Sequence, residues 1–120
     1  MGRMHILLVD EEEELVSTMV RRLRLRGISA EYVTSSEKAL DLVQNRDFDL
    51  VVMDLSMPGI TGIDLMKMIR KINNDIKFIF LTGYGYYNKE MPEIKEGAAD
   101  CLLKPVNIDA LIKRMEEIIS

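Results

Sequence analysis

Five side chains that could handle a phosphate group or a metal ion follow short apolar runs along the sequence. Asp10 and Glu11 come after the run at residues 5–9, and Asp54 comes after the run at residues 50–53. Thr82 ends the run at residues 77–82, and Lys104 follows the run at residues 101–103. Such runs, bounded by polar residues, are typical of buried parallel strands. Because ligands bind beyond the carboxyl ends of these strands, the sequence predicts one site that contains all five side chains.

The chemistry of this predicted site is that of a cation and a phosphoryl group. Three carboxylates close together repel one another unless a cation lies among them. Oxygen ligands without histidine or cysteine favour a hard ion, and few protein ligands with room for water suit Mg²⁺. The metal, Lys104 and the hydroxyl of Thr82 could then neutralise a phosphoryl group while Asp54 attacks as a nucleophile. Taken singly, however, Asp10 and Glu11 could merely cap a helix, and Lys104 could be a surface lysine.

The elements that must position these residues follow from the apolar pattern. Strands are predicted at residues 5–9, 29–33, 50–53, 77–82 and 101–103, and helices at about 12–25, from 35 or 36, at 63–72, at 86–96 and from 108, with Asn107 as the cap. The apolar residues expected to face inward from the helices are Leu15, Val16, Met19, Val20, Leu23, Ala39, Leu40, Val43, Leu65, Met66, Ile69, Ile72, Ile108, Leu111, Ile112, Met115 and Ile119. Five strands alternating with five helices predict an α/β fold, a doubly wound five-stranded parallel sheet, (βα)5, with strand order 2-1-3-4-5.

Composition limits the class of protein. The 120 residues predict one domain, residues 1–120, and 48% hydrophobic with 30% charged residues is typical of a soluble globular protein. No apolar run approaches the roughly 20 residues of a membrane span, and no signal-peptide region is apparent, so we expect a cytoplasmic location without membrane contact. A single cysteine, Cys101, excludes an internal disulfide. The net charge of -4 argues against direct nucleic-acid binding.

The chain resembles the receiver domains of two-component response regulators over essentially its full length. The segments that carry the resemblance are Val9-Asp10-Glu11, residues 53–59 (Met-Asp-Leu-Ser-Met-Pro-Gly), Leu81-Thr82-Gly83 and Gly97-Ala98-Ala99-Asp100 running on to Lys104-Pro105. Each segment alone is a weak signal, but all of them in this order and spacing are highly specific. The resemblance implies the flavodoxin-like receiver fold.

The resemblance also implies a role for each acidic residue. Asp54 would be the phosphoacceptor, taking its phosphoryl group from the phosphohistidine of a sensor histidine kinase. Glu11 and Asp54 would bind Mg²⁺ directly, Asp10 would bind it through water, and Ser56 would bind it through its backbone carbonyl.

The switching residues follow from the same resemblance, with one departure. Thr82 would turn its hydroxyl onto the bound phosphoryl group, and Lys104 would pair with that group. The peptide bond between Lys104 and Pro105 is often cis in the family. The position of Tyr84, like that of Ser56, tunes dephosphorylation in the family. Cys101 stands where the family generally has a switching Tyr or Phe, so we expect the signal to pass through residues 83–96 instead.

The predicted function is therefore phosphorelay signalling, with no enzymatic activity beyond the chain's own phosphorylation and dephosphorylation. Its partners would be the kinase and a downstream effector that contacts the fourth helix, fifth strand and last helix. A homodimer is an additional possibility. The main alternative is a receiver-like interaction module that works without phosphorylation. A dehalogenase-type phosphatase would need a second Asp where Ser56 stands. A flavodoxin-like protein would bind the phosphate of a mononucleotide after the first strand, and the acids from Glu11 to Glu14 would repel that phosphate. The sequence leaves open the cognate kinase, the effector, the oligomeric state, the phosphoryl lifetime, and whether the receiver stands alone.

Overall fold

Five parallel strands form a single sheet in this computed structural model, which describes residues 4–55, 57, 59–83 and 100–119. The strands are β1 (His5–Val9), β2 (Ser29–Val33), β3 (Leu50–Asp54), β4 (Lys77–Thr82) and β5 (Asp100–Leu103). Their order across the sheet is β2-β1-β3-β4-β5, which confirms the predicted topology. β1 and β3 are therefore neighbours at the point where the winding of the chain reverses.

Helices pack against both faces of the sheet. Within the described residues they are α1 (Glu13–Leu25), α2 (Ser36–Asn45), α3 (Gly62–Ile72) and α4 (Ile108–Ile119). Residues of α2 and α3 join one apolar cluster with the sheet, and residues of α1 and α4 join the other. The helix predicted at residues 86–96 lies outside the described residues. In the described part of the chain, none of the helices is long and apolar enough to cross a membrane.

The central strands β1 and β3 are largely apolar because both of their faces are covered. Successive side chains of a strand point to opposite sides, so Leu7 and Val9 of β1 join the cluster of α2 and α3, while Ile6 and Leu8 join that of α1 and α4. All five residues of β3 are buried, which identifies β3 as a central strand.

Local signals fix most helix ends. The side chains of Ser35, Thr61 and Asn107 each accept a hydrogen bond from a backbone N–H two or three positions further on, so each caps a helix. Gly27, two residues beyond the last residue of α1, has φ of +81°. The N–H groups of Gly27 and Ile28 bond back to the carbonyls of Arg24 and Leu23, the pattern of a Schellman cap.

Several predicted details are wrong. Leu15 and Ile72 were expected to face inward but are 39% and 40% exposed, because Leu15 lies at the margin of the buried stripe of α1 and Ile72 is the last residue of α3. β3 includes Asp54, which pairs with Leu81. α3 begins at Gly62, and β5 begins one residue earlier than predicted. The predicted inward residues that are only half-buried are Leu40, Ile112 and Ile119.

At the amino-terminal edge of the sheet, polar contacts surround His5. Its Nδ1 lies 2.8 Å from the backbone oxygen of Asp47, and its Nε2 lies 2.8 Å from a carboxylate oxygen of Glu31. Arg46 pairs with the other oxygen of Glu31. Burial works to raise the pKa of Glu31, but the hydrogen bonds and charges of Arg46 and His5 outweigh it, so the pKa is lowered.

Candidate functional site

Two buried carboxylates lie at the carboxyl ends of neighbouring strands. Asp54 is the last residue of β3, and Asp10 directly follows β1. The backbone N–H of Asp10 donates to the carbonyl of Val33 at 3.2 Å, which continues the sheet past the strand end. Asp10 is 3% exposed and Asp54 is 8% exposed, so the fold removes both carboxyl groups from most contact with water.

Lys104 joins these carboxylates. Its backbone N–H donates to the carbonyl of Thr82 at 2.8 Å, which fixes the residue just beyond β5. Its Nζ donates to Oδ2 of Asp10 at 3.0 Å and to Oδ2 of Asp54 at 3.2 Å. Burial works to lower the pKa of Lys104, but the hydrogen bonds and charges of the two aspartates outweigh it, so the pKa is raised. The Lys104-Pro105 peptide bond is cis, as the resemblance implies.

The glutamates that follow Asp10 also lie at this edge of the sheet. Glu11 lies at the same sheet edge, but it is exposed and does not share the contacts of Lys104. Glu12 was not predicted to belong to the site, yet its Oε1 lies 3.9 Å from Nζ of Lys104 and its N–H donates to Oδ1 of Asp10 at 3.0 Å. The run of acids from Glu11 to Glu14, all exposed, was the available signal, but it does not say which carboxylate lies near Lys104.

The donor set fits Mg²⁺. In the described ranges no three acidic, histidine or cysteine side chains converge closely enough to hold a metal by themselves. Asp10 and Asp54 nevertheless present oxygens that already share a cation, the ammonium of Lys104. A small hard ion that keeps several of its waters needs only one or two protein carboxylates, so these residues suit it.

Thr82 ends β4 at the same edge. The residue is fully buried, and its Oγ1 donates to the carbonyl of Gly83 at 3.1 Å. Apart from its chain neighbours, no residue that the structure describes has a heavy atom within 4 Å of where a Cβ at position 83 would lie.

Of the other predicted residues, the structure describes only Cys101. It is partly buried and packs against the cluster of α2 and α3. Burial and the charge of Asp100 raise the pKa of its thiol, which keeps the thiol protonated and unreactive. Ser56 and Tyr84 lie outside the described residues, so their roles stay predictions.

Gly62 supports the site in a way that the sequence did not reveal. An added Cβ would lie 3.0 Å from the backbone oxygen of Asp54, 3.1 Å from the Cα of Leu55 and 3.2 Å from the ring of Phe80. The first turn of α3 therefore approaches the end of β3 so closely that a Cβ at position 62 would crowd these atoms.

Comparison with curated proteins identifies relatives of this chain. The family model "Response regulator receiver domain" matches residues 6–116. Response regulator MprA of Mycobacterium sp. (strain KMS) is 30% identical over 114 residues, which are 95% of this chain and 50% of that protein. Response regulator SaeR of Staphylococcus aureus (strain USA300) is 29% identical over 116 residues, 97% of this chain and 50% of that protein. The chain spans about half the length of the curated relatives it matches.

Solved structures agree with this assignment. The non-phosphorylated HemR receiver domain from Leptospira biflexa superposes with a TM-score of 0.83 at 34% identity, covering 98% of this chain and 95% of that one. Response regulator protein TrrA from Thermotoga maritima, solved in complex with Mg(2+)-BeF, superposes with a TM-score of 0.82 at 30% identity, covering 96% and 98%. This chain therefore belongs to the response regulator receiver domain family of two-component signalling.

Proposed function

We propose that Asp54 accepts a phosphoryl group from the phosphohistidine of a sensor histidine kinase in a Mg²⁺-dependent reaction. One observation carries the proposal: the buried carboxylates of Asp54 and Asp10 share the ammonium of Lys104, at 3.2 and 3.0 Å. Preorganised cations beside a buried carboxylate nucleophile supply the charge stabilisation on which phosphoryl transfer depends.

Asp54 supplies the nucleophile. One of its carboxylate oxygens attacks phosphorus, so an O–P bond forms while the P–N bond to the donor imidazole breaks and its electron pair stays on nitrogen. An ionised carboxylate has no proton to lose, so the attack needs no general base. Lys104 would donate to an oxygen of the transferred group, exchanging part of its contact with Asp54 for the new charge.

Mg²⁺ would be held by the carboxylates of Asp10, Glu11 and Asp54 and by the backbone carbonyl of Ser56. When bound, the ion supplies positive charge that offsets repulsion between the incoming phosphoryl oxygens and the carboxylates. Asp10 is oriented for this role because the N–H of Glu12 donates to its Oδ1.

The output would be a shift between two surfaces. Phosphorylation adds about -1.5 to -2 charges at the site. The hydroxyl of Thr82 would leave the carbonyl of Gly83 for a phosphoryl oxygen and move the segment after β4. Because Cys101 has no ring to rotate, residues 83–96, including Tyr84, would carry the change instead. The surface that contacts an effector or a second receiver would consist of the helix predicted at residues 86–96, β5 and α4. The protein would itself catalyse nothing further, and it would act in the cytoplasm.

Beryllofluoride, a mimic of the phosphoryl group, tests this proposal. With Mg²⁺ present, it is expected to shift the amide resonances of Thr82, Gly83 and Lys104 in a nitrogen-15 spectrum. Asp54→Asn should abolish these shifts. An unchanged spectrum in the unmodified protein would instead favour the interaction module that works without phosphorylation.

A further inference from the structure

A small pocket lies between the amino-terminal end of α2 and the segment that follows β3. Its volume is about 180 Å³, and it is lined by Thr34, Ser35, Ser36, Glu37, Met57, Gly59 and Ile60. Since one water molecule occupies about 30 Å³ in the liquid, the pocket has room for about six waters or for one compact ligand. The proposed function uses none of these residues.

The hydroxyl of Ser36 in this lining is buried and has no hydrogen-bond partner among the described residues. Ser36 is only 8% exposed, and it shares the buried face of α2 with Ala39 and Val43. Its side chain therefore points inward, to the side of the helix on which Met57 is buried. Buried polar groups in folded proteins are almost always paired, so this hydroxyl indicates that an acceptor binds in the pocket.

Backbone N–H groups at the start of α2 add to this hydroxyl. The first N–H groups of a helix have no acceptor inside the helix. In α2 the N–H of Lys38 donates to Oγ of Ser35 at 3.3 Å, and the N–H of Ala39 donates to the carbonyl of Ser35 at 3.1 Å. The N–H groups of Ser36 and Glu37 make no such bond within the described part of the chain. This end of α2 therefore offers free donors and the positive end of a helix dipole, which favour a carboxylate.

The carboxylate of Glu37 restricts what can bind. Glu37 is exposed and lines the pocket, so it repels a simple anion and attracts a cation. No lysine or arginine is among the described residues of the lining. Met57 and Ile60 add apolar surface. A ligand that suits all of these groups carries a carboxylate, a cation and a small apolar group.

We propose that this pocket binds a small apolar α-amino acid in its zwitterionic form. The carboxylate of the ligand would accept hydrogen bonds from the N–H groups of Ser36 and Glu37 and from Oγ of Ser36. Its ammonium would pair with the carboxylate of Glu37, and its side chain would pack against Met57 and Ile60. The site would give the chain a small-molecule input that goes beyond the proposed function and does not depend on it.

Titration with L-valine, followed in a nitrogen-15 spectrum, tests the inference. The amide resonances of Ser36, Glu37, Gly59 and Ile60 are expected to shift together and to saturate, with a dissociation constant on the order of 1 mM because the ligand is small. Isovalerate, which lacks the ammonium, should bind about fivefold more weakly. Isobutylamine, which lacks the carboxylate, should bind at least about tenfold more weakly.

Three results of this titration would overturn the proposal. The first is a set of shifts that does not saturate. The second is equal binding of L-valine and isovalerate, since the ammonium would then contribute nothing. The third is inorganic phosphate that shifts the same resonances as strongly as L-valine does, since the pocket would then be a simple anion site.

Two pairs of variants make the test specific. Ser36→Ala removes the unpaired hydroxyl and should weaken the binding of L-valine about fivefold, whereas Ser29→Ala, at an exposed position of β2, should leave it unchanged. Glu37→Gln should bind L-valine and isovalerate within about twofold of each other, because the charge that distinguishes them is gone. Glu14→Gln, at the corresponding second position of α1, should keep the preference for L-valine. Unchanged binding in Ser36→Ala, or an undiminished preference in Glu37→Gln, would refute the proposal.

Discussion

Replacing Lys104 by methionine removes the cation that two buried carboxylates share. Methionine has a similar length and no charge, so the substitution leaves little empty space. The ammonium of Lys104 contacts Asp10 at 3.0 Å and Asp54 at 3.2 Å. After the substitution, both carboxylates would still be buried, but the ammonium that offsets their charge would be gone. We therefore expect Lys104→Met to destabilise the magnesium-free protein.

The size of the effect follows from burial. Breaking a buried ion pair costs about 3–5 kcal/mol because the remaining charge stays desolvated. The side chain of Lys104 is 19% exposed, so water screens part of the attraction. We expect a loss of about 2–3 kcal/mol in the free energy of unfolding.

Urea unfolding with a chelator, and then with saturating Mg²⁺, measures this loss. The ion replaces the missing charge, so the difference between variant and unmodified protein should fall below about 1 kcal/mol when Mg²⁺ binds. Lys113→Met, at an exposed position of α4, is the matched control and should stay within about 0.5 kcal/mol.

Two results would refute this reasoning. If Lys104→Met were as stable as the unmodified protein in the presence of the chelator, the carboxylates would not depend on a cation. If the loss were unchanged by Mg²⁺, the ion would not bind between Asp10 and Asp54.

Three further substitutions have defined outcomes. Gly62→Ala places a Cβ 3.0 Å from a backbone oxygen, so we expect a loss of about 1–3 kcal/mol in the free energy of unfolding, measured in urea. Burial works to raise the pKa of Glu31, but Arg46 and His5 outweigh it and lower the pKa, so the charged form stabilises the fold fully above the ordinary glutamate pKa. The melting-temperature deficit of Glu31→Gln should shrink as pH falls below that ordinary value and through the lowered pKa of the folded protein. Thr82→Val removes a hydroxyl whose hydrogen bond is worth about 1 kcal/mol, and it should abolish the beryllofluoride shift at Gly83, whereas the shift at Lys104, which would contact the bound group directly, should persist.

Each of these substitutions has a contradicting result. Gly83→Ala controls for Gly62→Ala because, among the described residues other than its chain neighbours, its Cβ meets no atom within 4 Å, and equal losses for the two would remove the steric argument. A deficit of Glu31→Gln that stayed constant from neutral to acid pH would show that its charge does not stabilise the fold. A persistent shift at Gly83 in Thr82→Val would mean that the signal bypasses the hydroxyl.

The strands and their order could be predicted because a doubly covered sheet imposes a pattern on the sequence. β1 and β3 are uninterrupted apolar runs, and Gly27 marks the end of α1. The exposure of Leu15 and Ile72 could not be predicted because helical spacing indicates a stripe but not its edges. The need for glycine at position 62 depends on how closely α3 approaches β3, which no local pattern records.

The candidate site could be predicted in part for the same reason. Asp10, Asp54 and Lys104 meet because the topology brings three strand ends to one edge. Adjacent acids after a strand point in different directions, so the sequence does not reveal that Glu12, although exposed, is the glutamate that lies near Lys104. The metal ligands and the switching roles stay predictions that depend on the family resemblance.

Intact mass after incubation with acetyl phosphate and Mg²⁺ tests the central claim most directly. We predict the gain of one phosphoryl group, lost in Asp54→Asn and lost with a chelator. Asp64→Asn, an exposed aspartate of α3, should be phosphorylated normally. No gain in the unmodified protein, or a gain that survives Asp54→Asn, would contradict the assignment of Asp54 as the phosphoacceptor.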